Sequence, residues 1–112
     1  MNAPLPRPCR SLNLRLTDEA RAAIDAAMAK LDDDEGVPGL LRSRDHGDPH
    51  DKWTVGSYGP NRVRFFQQLA KVTGLDFFFD CDGLILLVWQ PNLVPVLEGK
   101  TLDYSFRRYV LR

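Results

Sequence analysis

The chain has 112 residues, of which 15 are lysine or arginine and 15 are aspartate or glutamate, so its formal net charge is zero. This length suits one domain, and 44% hydrophobic with 27% charged residues is an ordinary globular composition. The charge balance argues against a nucleic-acid binder, which normally carries a basic excess. The longest apolar run, residues 84–89, is too short to cross a membrane. Residues 1–10 contain no secretory signal pattern, so we expect a cytoplasmic protein.

The first residues predict a flexible leader followed by one helix. Residues 1–10 carry Pro4, Pro6 and Pro8, which neither continue a helix nor donate to a sheet, and a single domain is expected over residues 11–112. Thr17 is a favourable N-cap, and the two acids after it suit the first turn of a helix. Apolar residues then recur at helical spacing, ending at Leu31: Ala20, Ile24, Ala27, Met28 and Leu31.

The remaining elements are predicted to be mainly strands. Residues 36–52 are rich in turn formers and charges and predict a surface loop, whereas residues 53–57 predict a short strand. Residues 77–79 predict a strand that ends at a hairpin turn at Asp82 and Gly83. Residues 84–89 then form its partner, which is apolar on both faces and therefore central or covered. A helical turn is expected at residues 93–97, and one extended segment from residue 101 onward.

Two stretches of aromatic residues are harder to assign. In residues 63–68, the spacing of Val63, Phe66 and Ala70 fits a helix, while the residue types fit a strand. Residues 77–79 are all phenylalanine, and alternating side chains predict that Phe78 points away from its two neighbours. Both faces of that strand must then be covered, or one face must meet a partner.

The candidates for chemistry are few. His46 and His50, interspersed with aspartates, suit zinc, nickel or iron(II), but their spacing matches no defined site and a solvated loop is the preferred interpretation. Cys81 lies between two aspartates, which disfavour the thiolate, and Cys9 lies in the leader. Residues 107, 108 and 112 form an arginine cluster, which suits either an acidic partner or a charged edge strand. Since the common catalytic motifs are missing, we predict a protein that is not an enzyme.

The segment from residue 79 to 104 resembles the second half of the HesB/IscA-like domain, the fold of the A-type iron–sulfur carriers. Residues 14–24 are similar to the strand-to-helix start of that family, so the resemblance covers residues 14–104. The shared features are an acidic turn closing on glycine, an apolar strand, an Asn-Leu turn, a glycine and a Leu-Asp-Tyr ending: Asp82-Gly83, residues 84–88, Asn92-Leu93, Gly99 and Leu102-Asp103-Tyr104.

The resemblance implies a fold but not the carrier activity. Family carriers bind their cluster with a cysteine in a Ser-Gly-Cys-Ser-Gly-type loop and with a Cys-x-Cys tail. An ungapped alignment from Gly83 places that loop at residues 57–61, where Gly59 takes the cysteine position, and no cysteine follows Cys81. A cluster needs thiolates or occasionally histidines, so the usual ligands are missing. The same alignment assigns a strand to residues 63–68 and makes residues 36–52 an insert.

We therefore expect an α+β fold, with one N-terminal helix on a small mixed or antiparallel β-sandwich. The chain is predicted to be a degenerate, cofactor-free HesB/IscA-like protein that binds a protein partner, in a regulatory or scaffolding role in iron–sulfur or sulfur metabolism. A second copy of the chain is one candidate partner; nucleic acid and membranes are not expected. The predicted contact residues are those of the former ligand loop and the terminal cluster: Tyr58, Gly59, Asn61, Arg107 and Arg108.

Two alternatives remain open at this point. One is a metal-binding protein that uses His46 and His50, or an unusual site at Cys81 between subunits. The other is an enzyme or small-molecule-binding domain with an aromatic pocket and converging polar groups near Trp53, Tyr58 or Trp89.

Overall fold

The computed structural model describes residues 9–29, 36–43 and 52–112, which form an α+β fold of three α-helices and an eight-stranded mixed sheet. The helices are α1 (Asp18–Ala29), α2 (Pro60–Thr73) and the short α3 (Val94–Leu97), which follows a 3-10 turn at Pro91–Leu93. The strands are β1 (Cys9–Ser11), β2 (Arg15–Leu16), β3 (Val37–Ser43), β4 (Lys52–Tyr58), β5 (Phe78–Cys81), β6 (Leu84–Leu87), β7 (Thr101–Ser105) and β8 (Arg108–Leu111). Within these ranges, no helix has the length and apolar content needed to span a bilayer.

The sheet is rolled so that its two edges approach each other. Its strand order is β1-β5-β6-β3-β4-β8-β7-β2, so the edge strands are β1 and β2. A flat sheet of eight strands would separate its edges by about 33 Å. However, the chain between Ser11 and Arg15 can span only about 14 Å. The sheet must therefore curve strongly, and it has an inner and an outer face.

The inner face holds the larger hydrophobic core. Leu12 and Leu14 in the edge-to-edge link are buried there, and α1 covers this side with Ala20 and Ile24. The sheet and the segment around α3 supply the other buried members of this cluster: Leu16, Leu40, Phe79, Cys81, Leu86, Val88, Leu93, Leu97 and Leu102.

The outer face holds a second core, which α2 covers with Ala70 and the partly buried Val63, Phe66 and Leu69. The buried members of this cluster are Val37, Tyr58, Ala70, Phe77, Phe78 and Leu87. Adjacent residues of β5 and β6 therefore alternate between the two cores, which confirms that these central strands are covered on both sides.

The prediction for the three phenylalanines is half right. Phe78 and Phe79 point to opposite faces, as expected, but Phe77 shares the outer core with Phe78. The reason is that β5 begins at Phe78, so strict alternation does not extend to the preceding residue.

The predicted start of α1 is confirmed. The Thr17 hydroxyl oxygen accepts a hydrogen bond from the Ala20 amide at 3.1 Å, as an N-cap should, and donates one to Asp103 Oδ1 at 2.8 Å. The hydrogen bond from Thr17, followed by one from the Tyr104 amide, lowers the pKa of Asp103. Thr17 thereby ties α1 to β7. Within the described residues α1 extends to Ala29, and Leu31 lies outside them.

Several predicted elements need correction near the first strands. Cys9 and Arg10, placed in a flexible leader, belong to β1, which pairs in parallel with β5; residues 1–8 lie outside the described residues. Residues 37–43, predicted as part of a surface loop, form β3 at the centre of the sheet, with Val37 and Leu40 buried. The prediction was wrong because it took Gly39 as a turn residue. In the strand, glycine at this position leaves space for the Tyr58 ring.

Residues 63–68 form a helix, so the strand assigned through the family resemblance is wrong. Pro60 occupies the first turn of α2, where its missing amide costs least, and Gly74 ends the helix in a left-handed conformation. The Gly74 amide donates to the Ala70 carbonyl oxygen at 2.8 Å. The helical spacing of Val63, Phe66 and Ala70 was the correct signal.

The last segment is a hairpin and not one extended strand. Phe106 and Arg107 both have positive φ values, of 52° and 63°, which is typical of a two-residue type I′ turn. Such turns normally contain asparagine or glycine, so this sequence lacks the usual signal. The hairpin predicted at Asp82 and Gly83 is confirmed, and these residues also have positive φ values.

The predicted α+β class and the mixed pairing of strands are confirmed, but the architecture differs from the expected sandwich with one helix. The described strands belong to a single sheet, and α2 adds a second long helix on its outer face. The helical turn predicted at residues 93–97 is confirmed by α3.

Gly39 should be essential for the outer core. A Cβ atom at Gly39 would lie 2.2 Å from Tyr58 Cε2, and the Tyr58 ring is held against Phe66. We expect Gly39→Ala to lower the free energy of unfolding by about 1–3 kcal/mol, measured by urea denaturation. Gly56→Ala is the matched control, because a Cβ there would lie at an ordinary 3.8 Å from the same ring atom. Equal effects of the two substitutions would contradict the role of the Gly39–Tyr58 contact.

Candidate interaction surface

Residues 57–61, which the family resemblance aligns with a ligand loop, form the junction between β4 and α2. Tyr58 ends β4 with its side chain buried, its ring 6.2 Å from that of Phe66. Gly59 is the N-cap of α2, and its carbonyl oxygen accepts from the Val63 amide at 3.0 Å. Asn61 is exposed, and its Oδ1 accepts from Arg64 Nη2 at 2.9 Å. The structure therefore brings the three predicted residues together, but Tyr58 and Gly59 have structural roles.

The described residues at the aligned ligand positions do not fit an iron–sulfur cluster. Gly59 offers no side chain, and Cys81 is fully buried in the inner core. Burial, followed by the nearby charges of Asp80, Cys9 and Glu98, raises the pKa of the Cys81 thiol to about 12. Because the thiolate is the form that binds metals, Cys81 is a poor ligand. No step that involves a cluster can be assigned to these residues.

The remaining candidate metal ligands are His46, His50 and Cys9. His46 and His50 lie outside the described residues. Cys9 is half-buried in β1. Among the residues that the structure describes, no group of three or more histidine, cysteine, aspartate or glutamate side chains is placed to hold a metal ion.

Arg107 and Arg108 lie at the β7–β8 turn. Both are exposed, and they follow Phe106, whose side chain is 95% exposed. Arg112, the third member of the predicted cluster, is instead paired with Asp103, with 3.3 Å between Nε and Oδ2. The arginine cluster is thus divided between an exposed turn and an ion pair within the sheet.

The side of α2 that faces away from the sheet carries two exposed apolar side chains. Phe65 is 58% exposed and Val72 is 84% exposed, and they lie about two turns apart on the same stripe of the helix. Asn61 and Gln68, also exposed, complete this stripe. We call these residues, with the flanking cations Arg62, Arg64 and Lys71, the α2 outer face.

The α2 outer face is strongly cationic. α2 contains no aspartate or glutamate, although the chain as a whole is neutral. Arg62 stacks over the Tyr58 ring at 5.7 Å, and Arg64 bonds to polar groups of its own helix. Among the described residues, the ion pairs involve Arg10, Arg21 and Arg112, and none involves a cation of α2.

A groove of about 350 Å³ lies beside the edge strand β1. Its polar residues, Arg10 and Asp76, face each other with 3.8 Å between Nη1 and Oδ2, so their charges are mutually compensated. The lining residues are Arg10, Gly74, Leu75, Asp76, Phe79, Pro91, Val94 and Pro95. None of the three aromatic residues expected near a ligand pocket (Trp53, Tyr58 and Trp89) lines this groove.

Sequence reasoning missed the α2 outer face because the family resemblance placed a strand there. The signal was present: Phe65 and Val72 recur at helical spacing with Arg64 and Lys71 directly before them. The segment has apolar residues on two sides, whereas a helix that only packs on a core needs one apolar stripe.

Comparison with family models, curated proteins and solved structures finds no match to this chain. The chain's own surface and chemistry are therefore the basis for assigning a function. The two features that bear on it are the buried, protonated Cys81 and the exposed α2 outer face.

The burial of Cys81 leads to a test of its reactivity. In a Cys9→Ser variant, Cys81 is the sole cysteine, and we expect iodoacetamide at pH 8 to modify the native protein at least 100-fold more slowly than the urea-unfolded protein. The reason is that its pKa of about 12 leaves far less thiolate than the ordinary value of about 8.5. The stabilisation associated with the protonated thiol is complete below about pH 8.5 and is lost as the pH rises towards 12. Native and unfolded rates within about tenfold of each other would contradict this account.

Proposed function

We propose that this chain is a non-enzymatic, cytoplasmic protein-binding domain and that the α2 outer face is its docking surface. The observation that carries the proposal is the exposure of Phe65 and Val72 on one stripe of a helix whose opposite side already packs on the sheet. Single exposed apolar residues are common, but two large ones aligned on a rigid helix and bordered by cations resemble the anchor residues of a binding surface.

The energetics support this use of the helix. Burying one phenylalanine or valine side chain contributes about 1.5–3 kcal/mol, so covering both Phe65 and Val72 would supply a useful part of a binding energy. The helix is held by Pro60 at its start, by Gly74 at its end and by its inner side chains. A surface that is already ordered loses little conformational entropy on binding, which favours affinity.

The resemblance to HesB/IscA-like domains supplies the proposed setting, which is iron–sulfur or sulfur metabolism. In this setting the chain would bind a component of the pathway without carrying a cluster itself. The chemistry of the available donors supports this part of the proposal, because Gly59 has no side chain and Cys81 holds its proton. Regulation or scaffolding is the role that remains for such a domain.

Removing the apolar anchors should abolish partner binding without unfolding the chain. We expect Phe65→Ser/Val72→Ser to reduce the recovery of proteins captured from lysate of the source cells at least tenfold, measured by quantitative mass spectrometry. Phe106→Ser is the control, since its side chain is 95% exposed at a different site. Both variants should remain folded. The double variant should lose about 1 kcal/mol of unfolding free energy, because the Phe65 ring lies edge-on to Phe66 at 5.2 Å, and Phe106→Ser should stay within about 0.5 kcal/mol of the wild type. Equal capture by the wild type and the double variant would contradict the proposed docking surface.

Metal analysis tests the cofactor-free part of the proposal. After anaerobic purification without an affinity tag, and again after cluster reconstitution, we expect iron and sulfide far below one equivalent per chain and no charge-transfer band in the visible spectrum. Stoichiometric iron and sulfide would overturn this part of the proposal, and substitution of Cys9, Cys81, His46 and His50 would then identify the ligands. Stoichiometric zinc or nickel, lost on substitution of His46 and His50, would favour the metal-binding alternative.

A further inference from the structure

The two long helices of this neutral chain carry net charges of opposite sign. The α2 outer face carries Arg62, Arg64 and Lys71 and no acid, whereas α1 carries Asp18, Glu19 and Asp25. The single cation of α1, Arg21, is directed to Asp82: its Nη2 donates to the Asp82 carbonyl oxygen and lies 3.4 Å from Oδ2. The exposed side of α1 is therefore acidic.

The shapes of the two exposed helix faces are also complementary. On α1, the stripe opposite the core consists of Asp18, Ala22, Asp25 and Ala29, all exposed. It is flat because its apolar members are alanines. The corresponding stripe on α2 has bulky side chains, Phe65 and Val72, at the same spacing. The large side chains of α2 can thus pack against the alanines of α1. The aspartates of the α1 stripe would then lie near Arg64 and Lys71 of α2.

The two faces cannot meet within one molecule. α1 covers the inner face of the rolled sheet and α2 covers its outer face, so the sheet separates them. A contact between them therefore requires two copies of the chain.

We propose that the α2 outer face binds the exposed face of α1 in a second copy of this chain. This proposal rests on the proposed function of the α2 outer face and names its occupant. The contact is heterologous, so one copy of a contacting pair retains an unused acidic α1 face and the other copy retains an unused basic α2 face. Such contacts generate rings or open chains and not simple twofold dimers. Since its charges are exposed, the association should weaken as salt rises.

Charge reversal on each face, alone and in combination, tests the proposal. The two variants are Arg64→Glu/Lys71→Glu on α2 and Asp18→Lys/Asp25→Lys on α1. By sedimentation velocity at low salt, the weight-average mass of the wild type should rise with concentration above the 12.7 kDa of one chain. Each variant alone should remain at the mass of one chain, with an apparent association constant at least tenfold lower, because both of its helix faces then carry the same sign.

The mixture of the two variants gives the decisive result. The native acidic α1 of one variant meets the native basic α2 of the other, and the two reversed faces also match each other. An equimolar mixture should therefore regain the association that each variant lacks. Arg15→Glu/Lys100→Glu is the matched control: it changes the net charge by the same amount as the α2 variant, at two exposed cations outside both helix faces, and should associate like the wild type. Circular dichroism and urea denaturation check that all variants are folded.

Three outcomes would overturn the inference. The first is a wild type that remains at one-chain mass at every concentration. If Phe65→Ser/Val72→Ser nevertheless captures less of a lysate protein than the wild type does, the proposed function stands and only the self-association is contradicted. If the variant captures as much as the wild type, both proposals are contradicted. The second is association that the Arg15→Glu/Lys100→Glu control loses equally, which indicates a general charge effect. The third is binding to anionic lipid vesicles that the α2 variant loses and the α1 variant keeps, without self-association, which assigns the α2 outer face to a membrane surface.

Discussion

The link between β1 and β2 is the constraint on which the rest of this structure depends. These two strands form the opposite edges of an eight-stranded sheet, yet only residues 12–14 separate them in sequence. The link is too short for a flat sheet, so the strands must curve until the edges approach each other. Backbone hydrogen bonds secure both sides, from Leu12 to Asp80 at 3.0 Å and from Arg15 to Lys100 at 3.0 Å. Leu12 and Leu14, inside the curve, are buried in the core that this curvature creates.

A rolled sheet with apolar central strands has two faces to cover. Neighbouring residues of β5 and β6 point alternately inward and outward, and all of Phe78, Phe79, Leu86 and Leu87 are fully buried. One helix cannot cover both sides, which explains why α1 packs inside and α2 outside. The close approach of the Tyr58 ring to Gly39 anchors the outer core, since no other residue type leaves the ring its space. The orientation of α2 follows from this packing.

The same arrangement of two helices on two sheet faces fixes the exposed surface of α2 and the burial of Cys81. Because the inner side of α2 is anchored in the outer core, Phe65 and Val72 are left exposed at fixed positions among cations. The inner core, in turn, encloses Cys81, and this burial raises the pKa of its thiol. The inward packing of α2 and the enclosure of Cys81 thus both follow from the two-sided coverage of the sheet. The exposed side of α1 is acidic, so its charge is opposite to that of the α2 outer face.

The sequence by itself determined the features that depend on local chemistry. These include the N-cap at Thr17, the hairpin turn at Asp82 and Gly83, the double-sided burial of residues 84–87 and the α+β class. The helical spacing of Val63, Phe66 and Ala70 belongs to this group as well, although the resemblance to a β-rich family overrode it. In each case, residues within a few positions of each other carry the signal, through capping, turn geometry or periodicity.

Only the tertiary structure decided the features that depend on distant partners. The sequence places Cys9 and Arg10 in a proline-rich leader, whereas in the structure they pair with β5, about 70 residues away in the chain. Residues 37–40 have the composition of a turn, and only the position of the Tyr58 ring explains why a strand needs glycine at position 39. Phe106 and Arg107 form a tight turn only because β7 and β8 pair on either side of them. The α2 outer face is defined by the same long-range packing, because a helix exposes a stripe only relative to the sheet that covers its other side. Strand pairing and burial join residues far apart in the chain, and no local pattern contains that information.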